Sequence, residues 1–380
     1  MIDEGNRGNA ALVLIEDGAI SAEYYSSTAG LVDRDTVFAT ASMSKWITAL
    51  GVMKLVEEGR LDLDRPVEDY LSRWQLPPSK FNNRSVTARR LLAHTAGLTD
   101  GLGFGDYHRD ESLPPLEQSL TSPRASSGEP VVIAVGIEPG SKWRYSGGGY
   151  LLLELLVEEI CGESFEAFIS RAILQPLDMT HSGYNYLEEV ENSAKSYDTN
   201  GVPTPNYHYA SKAATGFNTS AGDMAKLVIA HFPVVGDKPP AHSVLTQSMI
   251  DAMRKPHAKL HGIIDIWGLG TMLYAPTASG DFVFGHDGSN EPAINVSVRV
   301  NPDKSDGIVM LETGNKTLAT RLGSEWVFWQ TGTPDFLDIP NEMRRVIPAF
   351  LGGAFVILLA ALFIALRLRH TRRRESRLAS

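Results

Sequence analysis

Cysteine is almost missing from this chain. Cys161 is the one cysteine among 380 residues, which excludes an intramolecular disulfide and a cysteine-based metal centre. It lies in an apolar helical stretch ending at Gly162, the setting of a buried structural thiol rather than of a nucleophile. The opening residues, MIDEGNRGNAALVLIEDG, lack a basic n-region and a long apolar h-region, so no signal-peptide pattern is visible. Internal repeats are absent, and so is low-complexity sequence before the tail. Positive charge is scarce in the body. The formal net charge is −10, yet the last 14 residues hold six arginines and one acid, which leaves −15 on residues 1–366. An acidic body excludes nucleic acid as the natural partner.

What the chain does have is an ordinary globular composition, 43% hydrophobic and 21% charged, enough for one large domain or two coupled ones. It also has one uncharged run, VIPAFLGGAFVILLAALFIAL at 346–366. At helical rise this stretch spans roughly 30 Å, a bilayer core. The expectation is a single-pass transmembrane helix at 346–366, a linker at 333–345 and a basic tail at 367–380. The positive-inside rule puts the arginine-rich tail in the cytoplasm and the domain at 9–332 outside, although Arg344 and Arg345 dilute the asymmetry. That orientation needs an export signal, so it points to a segment upstream of Met1 or to another export route.

Along the chain, NAALVLIE and AISAEYYSS around Asp17-Gly18 predict a hairpin at 9–26. Residues 45–58 predict a helix apolar nearly all round, hence buried between layers. Helical pieces follow near 87–93, 149–173 and 221–231. The final third returns to strands in IIDIWGLGTMLY, DFVFGH, AINVSVRV and GIVMLET. The expected fold class is α+β: an antiparallel sheet from both chain ends flanked by helices, with a mostly helical inserted subdomain.

Three short stretches carry chemistry. In ATASMSKWITALGVMKLV, Ser42 and Lys45 are three apart and share a helix face, whereas Ser44 points elsewhere. A serine hydroxyl needs a base to attack, and a lysine serves when burial disfavours its ammonium form. The helix start also aims backbone N–H groups at an oxyanion on Ser42. The plainer reading is a Ser42 or Thr40 cap with Lys45 snorkelling. Ser-x-x-Lys alone decides nothing, since a chain this long yields about one by chance. In WRYSGGGY, three glycines precede an apolar helix, but no Lys-Ser/Thr follows, so a nucleotide loop is excluded. Tyr145 is either a cleft tyrosine or a core one. In GHDGSN, His286 ends a strand and Gly288 permits close backbone approach.

In this order, Ser42-Met43-Ser44-Lys45, Tyr145-Ser146-Gly147 and His286-Asp287-Gly288 resemble the three motifs of the serine β-lactamase and penicillin-binding-protein-like superfamily, nearest its class C β-lactamase, esterase and D-peptidase branch. GRLDLDRPVEDYL, SVTARRLLAHTAGL, QPLDMT and ATGFNTSAGDMAKL look like the same branch, so the resemblance covers roughly residues 9–330. It implies a β-lactamase/transpeptidase-like fold without metal or other cofactor. Ser42 would be the nucleophile of an acyl-enzyme, and Lys45 would help deprotonate it. Tyr145 would shuttle the proton, needing cationic neighbours because a free phenol titrates near ~10; Lys45 and a protonated His286 are the candidates. The backbone N–H groups of Ser42 and Ser289 would form the oxyanion hole, with Gly147, His286 and Gly288 lining the substrate site. His94 is expected to buttress its turn, and Asp223 to sit in a helix first turn outside any triad. Gly147 stands where the family usually has asparagine, and His286 where β-lactamases carry lysine. Both changes lean towards an esterase, amidase or D-peptidase with a small or uncharged substrate. A tethered, catalytically weak sensor or binding domain is the alternative. Natural substrate and oligomeric state are not legible.

Overall fold

The computed structural model describes residues 2–101, 103–105, 107–108, 110–184, 187–233, 243–339 and 352–364. Two compact units emerge, residues 1–336 and residues 337–380.

The first unit is built on one eight-stranded antiparallel sheet. Its strands are β1 (Asn9–Glu16), β2 (Ala19–Ser27), β3 (Ala258–Leu260), β4 (Ile264–Trp267), β5 (Met272–Pro276), β6 (Phe282–Asn290), β7 (Ile294–Asn301) and β8 (Asp306–Thr313). In space they run β2-β1-β8-β7-β6-β5-β4-β3, so the two chain ends meet where β1 pairs with β8. The β1–β2 turn is Asp17-Gly18, both at positive φ, as the sequence predicts.

Period-two alternation separates two faces of the sheet. On β7, Val296, Val298 and Val300 join the main core. Asn295 and Asn301 face a helix that the sequence reading missed, α4 (Leu318–Thr331), through bonds to Thr320 and Gln330, and Arg299 on the same face bonds Asp335 just beyond it. Helix α4 lies very close: a Cβ on Gly323 would sit 2.3 Å from Ser297 Oγ. The core face is covered by α1 (Ser44–Glu57) and α3 (Ala221–Ile229), with α2 (Gly147–Cys161) packed on α1. Helix α1 is buried along nearly its whole length, as its all-round apolar pattern requires.

The expected helix at 149–173 is three pieces. Gly162 adopts φ +70° and ends α2, after which Phe165–Ile169 and a wide turn at Ser170–Leu174 follow. Cys161 is half-buried there, and burial raises its thiol pKa, so it is not held as thiolate. The first unit also runs past the expected boundary at 332: Asp335 is buried and bonded to Arg299.

Among the described residues no helix is long and apolar enough to cross a membrane. Of the segment read as membrane-spanning, residues 352–364 are described, and they are helical with exposed Phe355, Ile357 and Leu362. Residues 346–351 and 365–366, linker residues 340–345 and the tail 367–380 lie outside the described residues.

Candidate active site

Ser42 stands in a single 3-10 turn, Ala41–Met43, that feeds directly into α1. Ala41 before it has φ +47°, a strained conformation for a residue with a side chain. Neither serine nor threonine caps this turn by side chain. Thr40 instead donates to the Phe217 carbonyl at 2.6 Å. Ser44 donates to the Ala41 carbonyl at 2.6 Å and accepts the Phe217 N–H at 3.0 Å. Both side chains fasten the turn to the strand Asn218–Ser220 region and leave Ser42 as the partly accessible hydroxyl.

Lys45 does not snorkel. It is 2% exposed. Its Nζ donates to Ser42 Oγ at 3.3 Å and to the Ala214 carbonyl at 2.8 Å. Its Nζ also lies 5.0 Å from the Tyr145 ring centroid and 5.5 Å from that of Tyr150. Ser42, Lys45 and Tyr145 therefore converge from two helix starts, 100 residues apart in sequence. Tyr145 precedes α2, whose N-cap is Ser146: its Oγ accepts the Gly149 N–H at 2.8 Å and donates to Asp100 at 2.6 Å. Gly147, at the first position of α2, is buried and offers no side-chain amide.

His286 reaches the same cluster from β6, two residues after the core residue Phe284 and so on the same face. Its Nδ1 is 2.6 Å from the Asp287 carbonyl, so Nδ1 carries the proton and Nε2 does not. Burial, with Lys45 and Arg299 adding repulsion, lowers its pKa to about 3. This corrects the expectation of a protonated His286 beside Tyr145: full burial next to Lys45 disfavours the imidazolium. Gly288 is required by geometry, since a Cβ there would lie 2.0 Å from the Thr40 carbonyl. That approach brings β6 against the nucleophile turn, with Ser289 exposed just beyond it.

Other residues complete the site. Trp267 places its ring 5.8 Å from Tyr145 and 5.6 Å from His286, and its Nε1 donates to the Leu92 carbonyl at 3.1 Å. Arg299 clamps β6 from behind through a two-point ion pair with Asp287 and reaches Asp335 at 3.3 Å. Sequence reasoning missed both. The available signal for Arg299 was an arginine alternating with valines in a buried strand. Asp223 accepts from His181, Ser182 and Lys226, which confirms a structural role in the first turn of α3.

A family model described as Beta-lactamase matches residues 1–326. The chain belongs to the beta-lactamase family. Within its superfamily of serine hydrolases, curated relatives include penicillin-binding protein 4* of Bacillus subtilis, 31% identical over 186 residues (48% of this chain, 39% of that protein). Another is esterase EstB of Burkholderia gladioli, 31% identical over 209 residues, 48% of each. The matched parts thus span less than half the length of these curated relatives. Among solved structures, the octameric penicillin-binding protein homologue from Pyrococcus abyssi matches with a TM-score of 0.65 at 25% identity. That match covers 82% of this chain and 71% of the other.

Proposed function

We propose that this beta-lactamase-family protein is a serine hydrolase that cleaves an ester or amide through an acyl-enzyme on Ser42. The observation that carries this reading is the 3.3 Å contact between the buried Lys45 Nζ and Ser42 Oγ. Ser42 Oγ attacks the carbonyl carbon, and its proton passes through Lys45 and Tyr145 to the departing oxygen or nitrogen. Water then cleaves the acyl-serine ester and restores the hydroxyl. The Ser42 and Ser289 N–H groups take the oxyanion.

An esterase-like substrate without a carboxylate fits best. Neutral His286 adds no positive charge, and Gly147 adds no amide. A cleft of ≈ 250 Å³ beside Ser289 is lined by Phe104, Tyr209 and a Lys316–Glu291 ion pair, so its one lysine already has an acidic partner. The relative named esterase supports ester chemistry. In the test, the full chain and Ser42→Ala are incubated with a fluorophosphonate, p-nitrophenyl esters and a chromogenic cephalosporin. Labelling and ester turnover lost in Ser42→Ala is the expected result. Labelling without turnover points to a sensor, and equal turnover by the variant sinks the mechanism.

We further propose that residues 346–366 anchor the protein in a membrane as a single span with the arginine tail in the cytoplasm. The uncharged run and the exposed apolar side chains of 352–364 support this. Alkaline carbonate should leave the full chain in the membrane pellet and release a chain ending at residue 336. External protease on intact cells should digest the domain; protection reverses the orientation.

A further inference from the structure

We propose that His94 is the positioning residue for Tyr145, holding the phenol against Lys45 from both sides of its peptide unit. This inference rests on the reading of Tyr145 as the proton-shuttling group.

The contacts bracket Tyr145. The His94 carbonyl accepts the Arg144 N–H at 2.8 Å. Its imidazole Nδ1 accepts the Ser146 N–H at 3.1 Å. Between these two bonds the imidazole lies 4.4 Å from the Tyr145 ring, tilted by 32°. One residue therefore fixes the backbone before and after the tyrosine and packs on its ring. The His94 ring cannot swing away, because Trp267 meets it edge-on at 4.8 Å and Tyr150 lies at 5.2 Å. His94 itself adopts φ +55°, in the left-handed region, which sets the turn that carries its ring toward Tyr145. On the far side of Tyr145, Ser146 is locked as the α2 cap. The tyrosine is thus suspended between a left-handed turn and a helix start, with neither of its flanking N–H groups free to move.

The contact works for one protonation form. An Nδ1 that accepts an N–H holds a lone pair, so the proton sits on Nε2. A cationic imidazole would present Nδ1–H to the Ser146 N–H and break the bracket. Complete burial, with Lys45 nearby, keeps the ring neutral.

The test separates positioning from general support of the turn. His94→Gly accepts the left-handed φ and keeps the carbonyl bond but loses Nδ1 and the ring. His94→Asn tolerates the same φ and supplies an amide oxygen where Nδ1 stood. With p-nitrophenyl esters, His94→Gly should lower kcat by about 10–100-fold, the cost of a small misplacement of a catalytic group, with little change in KM. His94→Asn should recover most of kcat. Added to Tyr145→Phe, His94→Gly should cost almost nothing more, since both changes act on one group. Equal impairment of the Gly and Asn variants, or full additivity with Tyr145→Phe, overturns the positioning role. A folded His94→Gly enzyme with unchanged kcat beside an inactive Tyr145→Phe overturns it while leaving the reading of Tyr145 intact. Full activity in Tyr145→Phe overturns both.

Discussion

Two serines, two residues apart, have opposite work. Ser44 is fully buried and satisfies the Ala41 carbonyl and the Phe217 N–H. Ser42 keeps its hydroxyl for Lys45. Ser44→Ala strips a buried N–H of its acceptor, which should cost about 1–3 kcal/mol of unfolding free energy in urea. Fluorophosphonate labelling of Ser42 should survive that change in the folded fraction. Ser42→Ala should do the reverse, abolishing labelling at nearly unchanged stability. A Ser44→Ala protein as stable as the parent would show that the turn does not need this bond. The division was legible in the sequence, because spacing on a helix puts residue 42, not 44, on the lysine face. What spacing did not give is Lys45's burial beneath two tyrosine rings, since Tyr145 and Tyr150 arrive from a helix 100 residues later.

At the scale of elements, the back of the sheet sets the front. Arg299 on β7 is fully buried and holds Asp287, the residue after His286, in a two-point ion pair. It also bonds Asp335, beyond the end of α4. Arg299→Met removes the shared cation and leaves Asp335 buried without it. Breaking a buried pair from one side costs about 3–5 kcal/mol, readable as a lower urea midpoint. Turnover should fall as well, because the β6 edge carrying His286 and Gly288 loses its rear support. A stable, fully active Arg299→Met would remove this coupling. The strands were legible from alternation, and the hairpin from Asp17-Gly18. Helix α4 was not: it buries Leu318, Ala319, Trp326 and Val327, but exposed Phe328 and Trp329 on its other side blur the apolar stripe. The break at Gly162 was present in the sequence, but a lone glycine inside a long apolar run also fits a continuous helix.

For the whole molecule, buried titratable groups make stability a two-sided function of pH. His231 and His286 are held neutral, with pKa values lowered by burial to about 4 and about 3. The unfolded chain binds protons on these rings below about 6.5 and the native state does not, so stability falls as pH drops from that value. Glu154 and Glu312 act in the opposite sense. Burial raises them to about 7 and about 9, so the native state keeps protons that the unfolded chain releases above the ordinary carboxylate range. Stability therefore also falls as pH rises, up to about 7 for Glu154 and up to about 9 for Glu312. The thermal midpoint should peak near pH ~6, where the two slopes cancel. Glu312 lies on β8 opposite Asn295 of β7, so its side chain shares the α4 face with Asn295, on the other side of the sheet from His286. Glu312→Gln should therefore leave the pH dependence of ester turnover in place while flattening the alkaline loss of stability. The slope it removes between pH 7 and 9 is at most about 1.4 kcal/mol per pH unit, one proton's worth. Parallel Tm curves for the two proteins from pH 5 to 9 would show that Glu312 is ionised in the fold, and the raised carboxyl would then not explain the decline.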